Sequence, residues 1–253
     1  MTASTIMKRL RAVATPEKAA VLARFFKTGP GQYGEGDRFL GVMVPEQRKL
    51  AKEFRDLPLP EVETLLASPY HEARLTGFLV LTCAFERADE SRRREFYEFT
   101  LVHRAALNNW DLVDVIAPVI IGGWLLERPA DRKLLRKYAK STDLWERRIA
   151  IVATLAFIRA GDFGDTLAIS EVLLGDKHDL IHKATGWMLR EVGKRDVAVL
   201  RGFLGEHAAR MPRTALRYAI ERLPEAERKA WLAVPRAAQP RAAHRKTRPT
   251  PRP

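Results

Sequence analysis

Apolar residues recur at three- and four-residue spacing along the chain, as in Val21, Leu22, Phe25 and Phe26 or Leu134, Leu135 and Tyr138. That spacing collects them on one face of a helix, so the body is predicted to be helix after helix. Proline marks helix starts at Thr15-Pro16-Glu17, Val44-Pro45-Glu46, Ser68-Pro69 and Arg128-Pro129, where the first turn does not need its missing N–H. Alternating runs bounded by hairpin turn pairs are scarce, which argues against a sheet. One long loop stands out at 29–41, GPGQYGEGDRFLG, and its glycines lack the spacing of a phosphate-binding loop.

The helical pattern repeats. When the apolar runs of HEARLTGFLVL, NNWDLVDVIAP, LWERRIAIVAT and DLIHKATGWML are aligned, Arg74, Asp114, Arg148 and Lys183 fall in equivalent places, 40, 34 and 35 residues apart. The pattern returns near Arg217 in PRTALRYAIERL. A period of this length with two helices per unit is the signature of an all-α architecture, an α-solenoid of HEAT-like repeats. Equivalent positions on successive inner helices line one concave face. Charged side chains just ahead of apolar runs make sense if that face meets a wet, anionic ligand.

Composition sharpens the picture. Hydrophobic residues make up 46% of the 253 and charged residues 30%, the mixture of a soluble globular chain. The net charge is +13, which suits a partner bearing many negative charges, nucleic acid above all. From Arg236 onward the chain has six Lys or Arg and no acid. Subtracting those six from +13 leaves +7 on the body, which is therefore basic in its own right. The expected division is a repeat domain at 1–233 and a disordered, basic, Pro-rich tail at 234–253. The start lacks the apolar core of a secretory signal and no apolar stretch is long enough to span a bilayer, so a cytoplasmic protein is expected. Cys83, the single cysteine, lies in the apolar run GFLVLTCAF and reads as a buried core thiol. His178 and His182 are four apart but lack an HExxH context, so neither metal nor any other cofactor is expected.

Three tryptophans accompany the repeat positions. Trp110 precedes Asp114 by four residues, Trp145 precedes Arg148 by three, and Trp187 follows Lys183 by four, so each pair shares a helical face. Interleaved cations and aromatic planes suit nucleic acid, the former meeting phosphates and the latter bases or sugars. Asp114 admits two readings from its spacing: a structural carboxylate paired with a neighbouring repeat's cation such as Arg148, or a catalytic acid. Asp111, after Asn108 and Asn109, reads as a helix-start residue. Pro118 removes the N–H that would bond the Asp114 carbonyl and should kink the helix there.

NNWDLVD at 108–114, DLWERRIAI at 143–151 and IHKATGWMLREVGKRD at 181–196 resemble the DNA alkylation repair family of AlkD-type glycosylases. FLGVMVPEQRKLAK at 39–52 is similar to that family's N-terminal FxGIxxPxxRxL-like stretch, and the likeness spans roughly residues 20–225. Leu180 departs from the pattern, at a place where relatives can carry an aromatic. The resemblance implies a monomeric glycosylase acting on alkylated purines in double-stranded DNA. It makes Asp114 the catalytic carboxylate and Trp110 and Trp187 the lesion-facing aromatics. Arg148 becomes a DNA-holding residue, and Lys183, Arg190, Arg74 and Arg217 are the further cations expected on DNA. The lesion is expected to lie against the tryptophans with little enclosure, since an open groove offers no obvious pocket. The alternative is a non-catalytic scaffold that binds DNA or a protein.

Overall fold

A computed structural model describes residues 1–235; the basic tail expected from residue 234 lies, from residue 236 on, outside the described residues. The chain folds as an α-solenoid of helical repeats. One layer holds the helices Val44–Glu53, His71–Phe85, Trp110–Ile116, Leu144–Ala153, Asp179–Gly193 and Arg213–Ala219, each packed on the next. The second layer, Leu59–Leu66, Glu90–Val102, Lys133–Tyr138, Gly164–Leu173 and Val197–His207, packs behind it. This alternation is why positions about 35 residues apart in sequence become neighbours in space. Among the described residues there is no strand, only an isolated bridge between Arg38 and Tyr70. No helix among them is long and apolar enough to cross a membrane.

Local chemistry sets the helix boundaries. Thr15 accepts from the Lys18 N–H, Asp89 from Arg92, Asp143 from Trp145, and Asp196 from Ala198 and Val199, satisfying donors that a first turn leaves free. Pro16 and Pro45 sit in first turns as expected, and Pro129 opens a short 3₁₀ turn. Ser68-Pro69 differs: the helix begins two residues later at His71, because Ser68 Oγ accepts from the Tyr70 N–H and Arg38 O accepts from the His71 N–H. These two bonds hold the approach to the helix extended.

A main hydrophobic cluster runs from Ala3 to Val192, and a second joins Leu174 and Leu189 to residues as far as Ile220. The helix His71–Phe85 crosses the main cluster almost wholly buried, polar Glu72 and Arg74 included. Pro118 produces the expected disturbance in a particular form. The helix Trp110–Ile116 passes into a π-helical stretch, Ala117–Ile121, before Gly122–Leu125 resumes α geometry. A missing i→i−4 bond is accommodated by widening the turn. Asp114 thus lies just ahead of a widened turn.

Close layer packing depends on glycine. A Cβ on Gly186 would lie 2.4 Å from Ala215 O, whereas one on Gly202 would meet nothing within 4 Å. Gly186→Ala should therefore lower the unfolding free energy, because overpacking against backbone costs about 1–3 kcal/mol and outweighs a helix-propensity gain of about 1 kcal/mol. Gly202→Ala has the gain alone and should stabilise. Chemical denaturation of both variants checks the pair; equal shifts of one sign would contradict the packing.

Candidate active site

Asn109 caps the helix that carries the site by accepting from the Trp110 N–H. Trp110 and Asp114 then share a helical face. The Asp114 carboxylate receives a two-pronged bond from Arg148, Nε to Oδ1 at 2.9 Å and Nη2 to Oδ2 at 2.8 Å. Nη1 of the same guanidinium donates to Leu180 O at 2.6 Å. Arg148 so ties three consecutive inner helices and is only 4% exposed. Its donors point inward, to Asp114 and Leu180 O. Burial raises the Asp114 carboxyl above the ordinary aspartate value, Arg148 opposes that rise by charge and hydrogen bonding, and nearby Asp111 adds to it.

Asp114 is nevertheless not sealed in. Its side chain keeps 19% exposure and lines two cavities. The first, about 330 Å³, is walled by Phe25, Phe26, Phe39, Met43 and Trp110. The second, about 460 Å³, is bordered by Trp187, Cys83, Arg48, Lys52 and Arg159. Trp110 and Trp187 thus border separate clefts that share the carboxylate, both open to solvent. The sequence hid the first cavity because its walls come from the end of the helix Pro16–Phe25, the long loop and the Trp110 helix. Phe26 stacks on Trp110 with centroids 5.3 Å apart and on Phe39 at 5.2 Å, and Phe25 meets Trp110 edge-on. Cys83 is half-buried at the second cavity rather than deep in the core, and burial pushes its thiol up.

The long loop is latched to this site. Asp37 binds His71 Nδ1 at 2.8 Å and the Arg74 guanidinium, while His71 Nε2 binds Asp111 at 2.8 Å. Burial opposes charge on His71, but hydrogen bonds and attraction from Asp111 and Asp37 win and raise its pKa to about 9. It is an imidazolium held between two carboxylates. Glu72 fixes the loop's far end by accepting from the N–H groups of Leu40, Gly41 and Val42. The loop also carries Tyr33 to Trp145, edge-on at 6.3 Å. Asp111 does open its helix, as its sequence position implies, and it also carries this second contact.

The cations chosen by repeat position fare unevenly. Arg74 is buried against Asp37, Ser68 O and Asn108. Arg190 is paired with Glu221 and Lys183 with Asp179, the latter still partly exposed. Arg217 is exposed, with no ion pair recorded among the described residues. The residues missed are Arg48, Lys52 and Arg159, all exposed at the second cavity and without an ion pair among the described residues. Their signal was the four-residue spacing of Arg48 and Lys52 on the polar side of Val44–Glu53, opposite buried Leu50. His178 and His182 bond to backbone, at Leu180 N and Asp176 O.

A sequence model of the DNA alkylation repair enzyme family matches residues 6–223. Among solved structures, one described as a predicted DNA alkylation repair enzyme from Enterococcus faecalis resembles this fold with a TM-score of 0.66 at 19% identity, covering 84% of this chain and 97% of that one. Comparison with curated proteins gives no match.

The His71 latch makes a pH-dependent prediction. A pKa raised to about 9 gives stability that is complete below the unfolded value of 6.5 and is lost as pH rises toward 9. The stability difference between wild type and His71→Gln should shrink by on the order of 3 kcal/mol across that window. Denaturant titrations at pH 6 to 10 measure it; a pH-independent difference contradicts the latch.

Proposed function

The chain belongs to the DNA alkylation repair enzyme family, and from that premise we propose that it is a DNA glycosylase for purines alkylated at N3 or N7 in double-stranded DNA. It acts as a cytoplasmic monomer with no metal or redox cofactor. The observation that carries the reading is the Asp114 carboxylate at the meeting of two cavities, with Trp110 on one side and Trp187 on the other.

The chemistry follows from the substrate's charge. A purine alkylated at N3 or N7 is cationic, so its glycosidic bond is weakened and the base leaves neutral. Ordinary glycoside hydrolysis needs one carboxyl as acid and a second as base or nucleophile. A cationic leaving group removes the need for the acid. Asp114 then suffices, stabilising the sugar cation that develops as the bond breaks and orienting a water. Two opposite charges ~4 Å apart attract by about 4 kcal/mol at an effective dielectric of ~20. Where that attraction arises only in the transition state it is worth roughly a thousandfold in rate. The indole faces of Trp110 and Trp187 favour the same cation.

Arg148 acts in this scheme as a positioning residue. Its two bonds oppose the rise that burial imposes on the carboxyl and fix its plane, and each carboxylate oxygen retains lone-pair capacity toward a sugar. The same bidentate pair also favours a second reading, a purely structural carboxylate in a non-catalytic DNA-binding or protein-binding scaffold.

Base release from methylated duplex DNA separates the two. Asp114→Asn should reduce release of 7-methylguanine or 3-methyladenine by about a thousandfold while DNA affinity persists; undiminished release sinks the catalytic assignment. The ionised form is the active one and its pKa is raised, so activity should fall on acidification at a higher pH than an exposed aspartate would give. Arg148→Gln removes the opposing cation and should move that acid limb higher still, as a pH–rate profile would record.

A further inference from the structure

The Trp110 helix brings two carboxylates to the aromatic cleft, not one. Asp111 and Asp114 are three residues apart, so they share a helical face, and both border that space. Neighbouring carboxylates oppose each other's ionisation, and Asp111 adds to the rise that burial imposes on Asp114. Each has a cation from a different repeat. Arg148, on the following inner helix, holds Asp114. His71, on the preceding one, meets Asp111 Oδ2 with Nε2 at 2.8 Å.

His71 is committed to that place. It is almost wholly buried, its Nδ1 meets Asp37 Oδ2 at 2.8 Å, and its ring packs with Phe26 and Phe39 at centroid distances of 4.9 and 4.8 Å. The other charges around it are engaged elsewhere or in water. Arg74 pairs with Asp37, and Glu72 accepts from three backbone N–H groups of the loop. Arg48, at the rim of the cleft, is exposed to solvent. A pKa of about 9 keeps His71 protonated throughout the range in which a carboxyl titrates. Asp111 therefore faces a permanent cation there.

Resting on the glycosylase reading above, we infer that His71 is a positioning residue for the reaction: by neutralising Asp111 it leaves Asp114 as the carboxylate that stays ionised beside the developing sugar cation. Buried as it is, His71 touches no substrate and acts through Asp111. Without it the two carboxyls would titrate as a coupled pair, with Arg148 alone opposing the uptake of a proton by Asp114.

Neutralisation and mere packing differ in sign. His71→Gln removes the cation and should raise the Asp114 titration midpoint by about one unit. Asp111→Asn removes the competing carboxylate, leaves His71 on Asp37, and should lower the midpoint. The double variant should fall between the two. A ring that only filled space would move both single variants the same way or neither. The full chain, labelled with carbon-13 at its aspartate carboxyls, gives the midpoint by NMR titration, the Asp114 signal being the one lost in Asp114→Asn. The acid limb of base release from methylated duplex DNA should move in step. Shifts of one sign in the two single variants, or no shift in either, overturn the assignment. If His71→Gln does not fold, Asp111→Asn decides alone, and a midpoint that fails to fall overturns it. Opposite shifts with an unmoved acid limb remove His71 from the reaction. Opposite shifts in a protein that releases no base leave the charge coupling standing and remove the glycosylase reading.

Discussion

The bidentate bond between Asp114 and Arg148 is the interaction on which the site depends. It joins side chains 34 residues apart that the repeat brings face to face, and Arg148 extends the tie to the next repeat through Leu180 O. A carboxylate at this depth would neutralise itself by taking up a proton if it stood alone. The guanidinium opposes that tendency and fixes its orientation, yet occupies only part of its hydrogen-bonding capacity. The result is a largely buried carboxyl that still opens onto two clefts, one walled mainly by aromatic and aliphatic side chains and the other by Trp187 with Lys52, Arg159 and Glu86, Arg48 bordering both. Structural pairing and chemical availability are compatible here because the pair closes on one side only.

Net charge alone is a poor guide to where this protein meets an anion. Of the cations at repeat-equivalent positions, two are spent inside the fold, Arg74 on Asp37 and Arg148 on Asp114, while Lys183 and Arg217 stay at the surface. Such arginines organise repeats, and their charge is cancelled within a few ångströms. The cations that border the Trp187 cleft lie on other elements, Arg48 and Lys52 on one helix and Arg159 at the end of another, with Glu86 beside them. The basic balance of the chain reaches the site through them.

The long loop gives the aromatic cavity its walls. Its course is held by Asp37 against the His71 imidazolium and by the Glu72 carboxylate on three backbone N–H groups. Those anchors set Phe39 against Phe26 and Phe26 against Trp110. A loop that carries no phosphate-binding spacing therefore still shapes the site, through packing and charge rather than through its glycines.

Helical periodicity, proline positions and the repeat were legible in the sequence because they depend on spacing within about 40 residues, which helix geometry converts directly into faces and layers. The same spacing put Trp110 beside Asp114 and aligned Asp114 with Arg148. Tertiary structure alone decided which charges remained free, where the long loop went, and that the groove contains a cavity, since each depends on partners from unrelated stretches of chain. Asp37, in the loop outside the repeat, lies 34 residues from His71, and no local pattern marks that contact. Periodicity assigns a residue to a face, but whether its charge is spent there or offered to a ligand is settled by what folds against it.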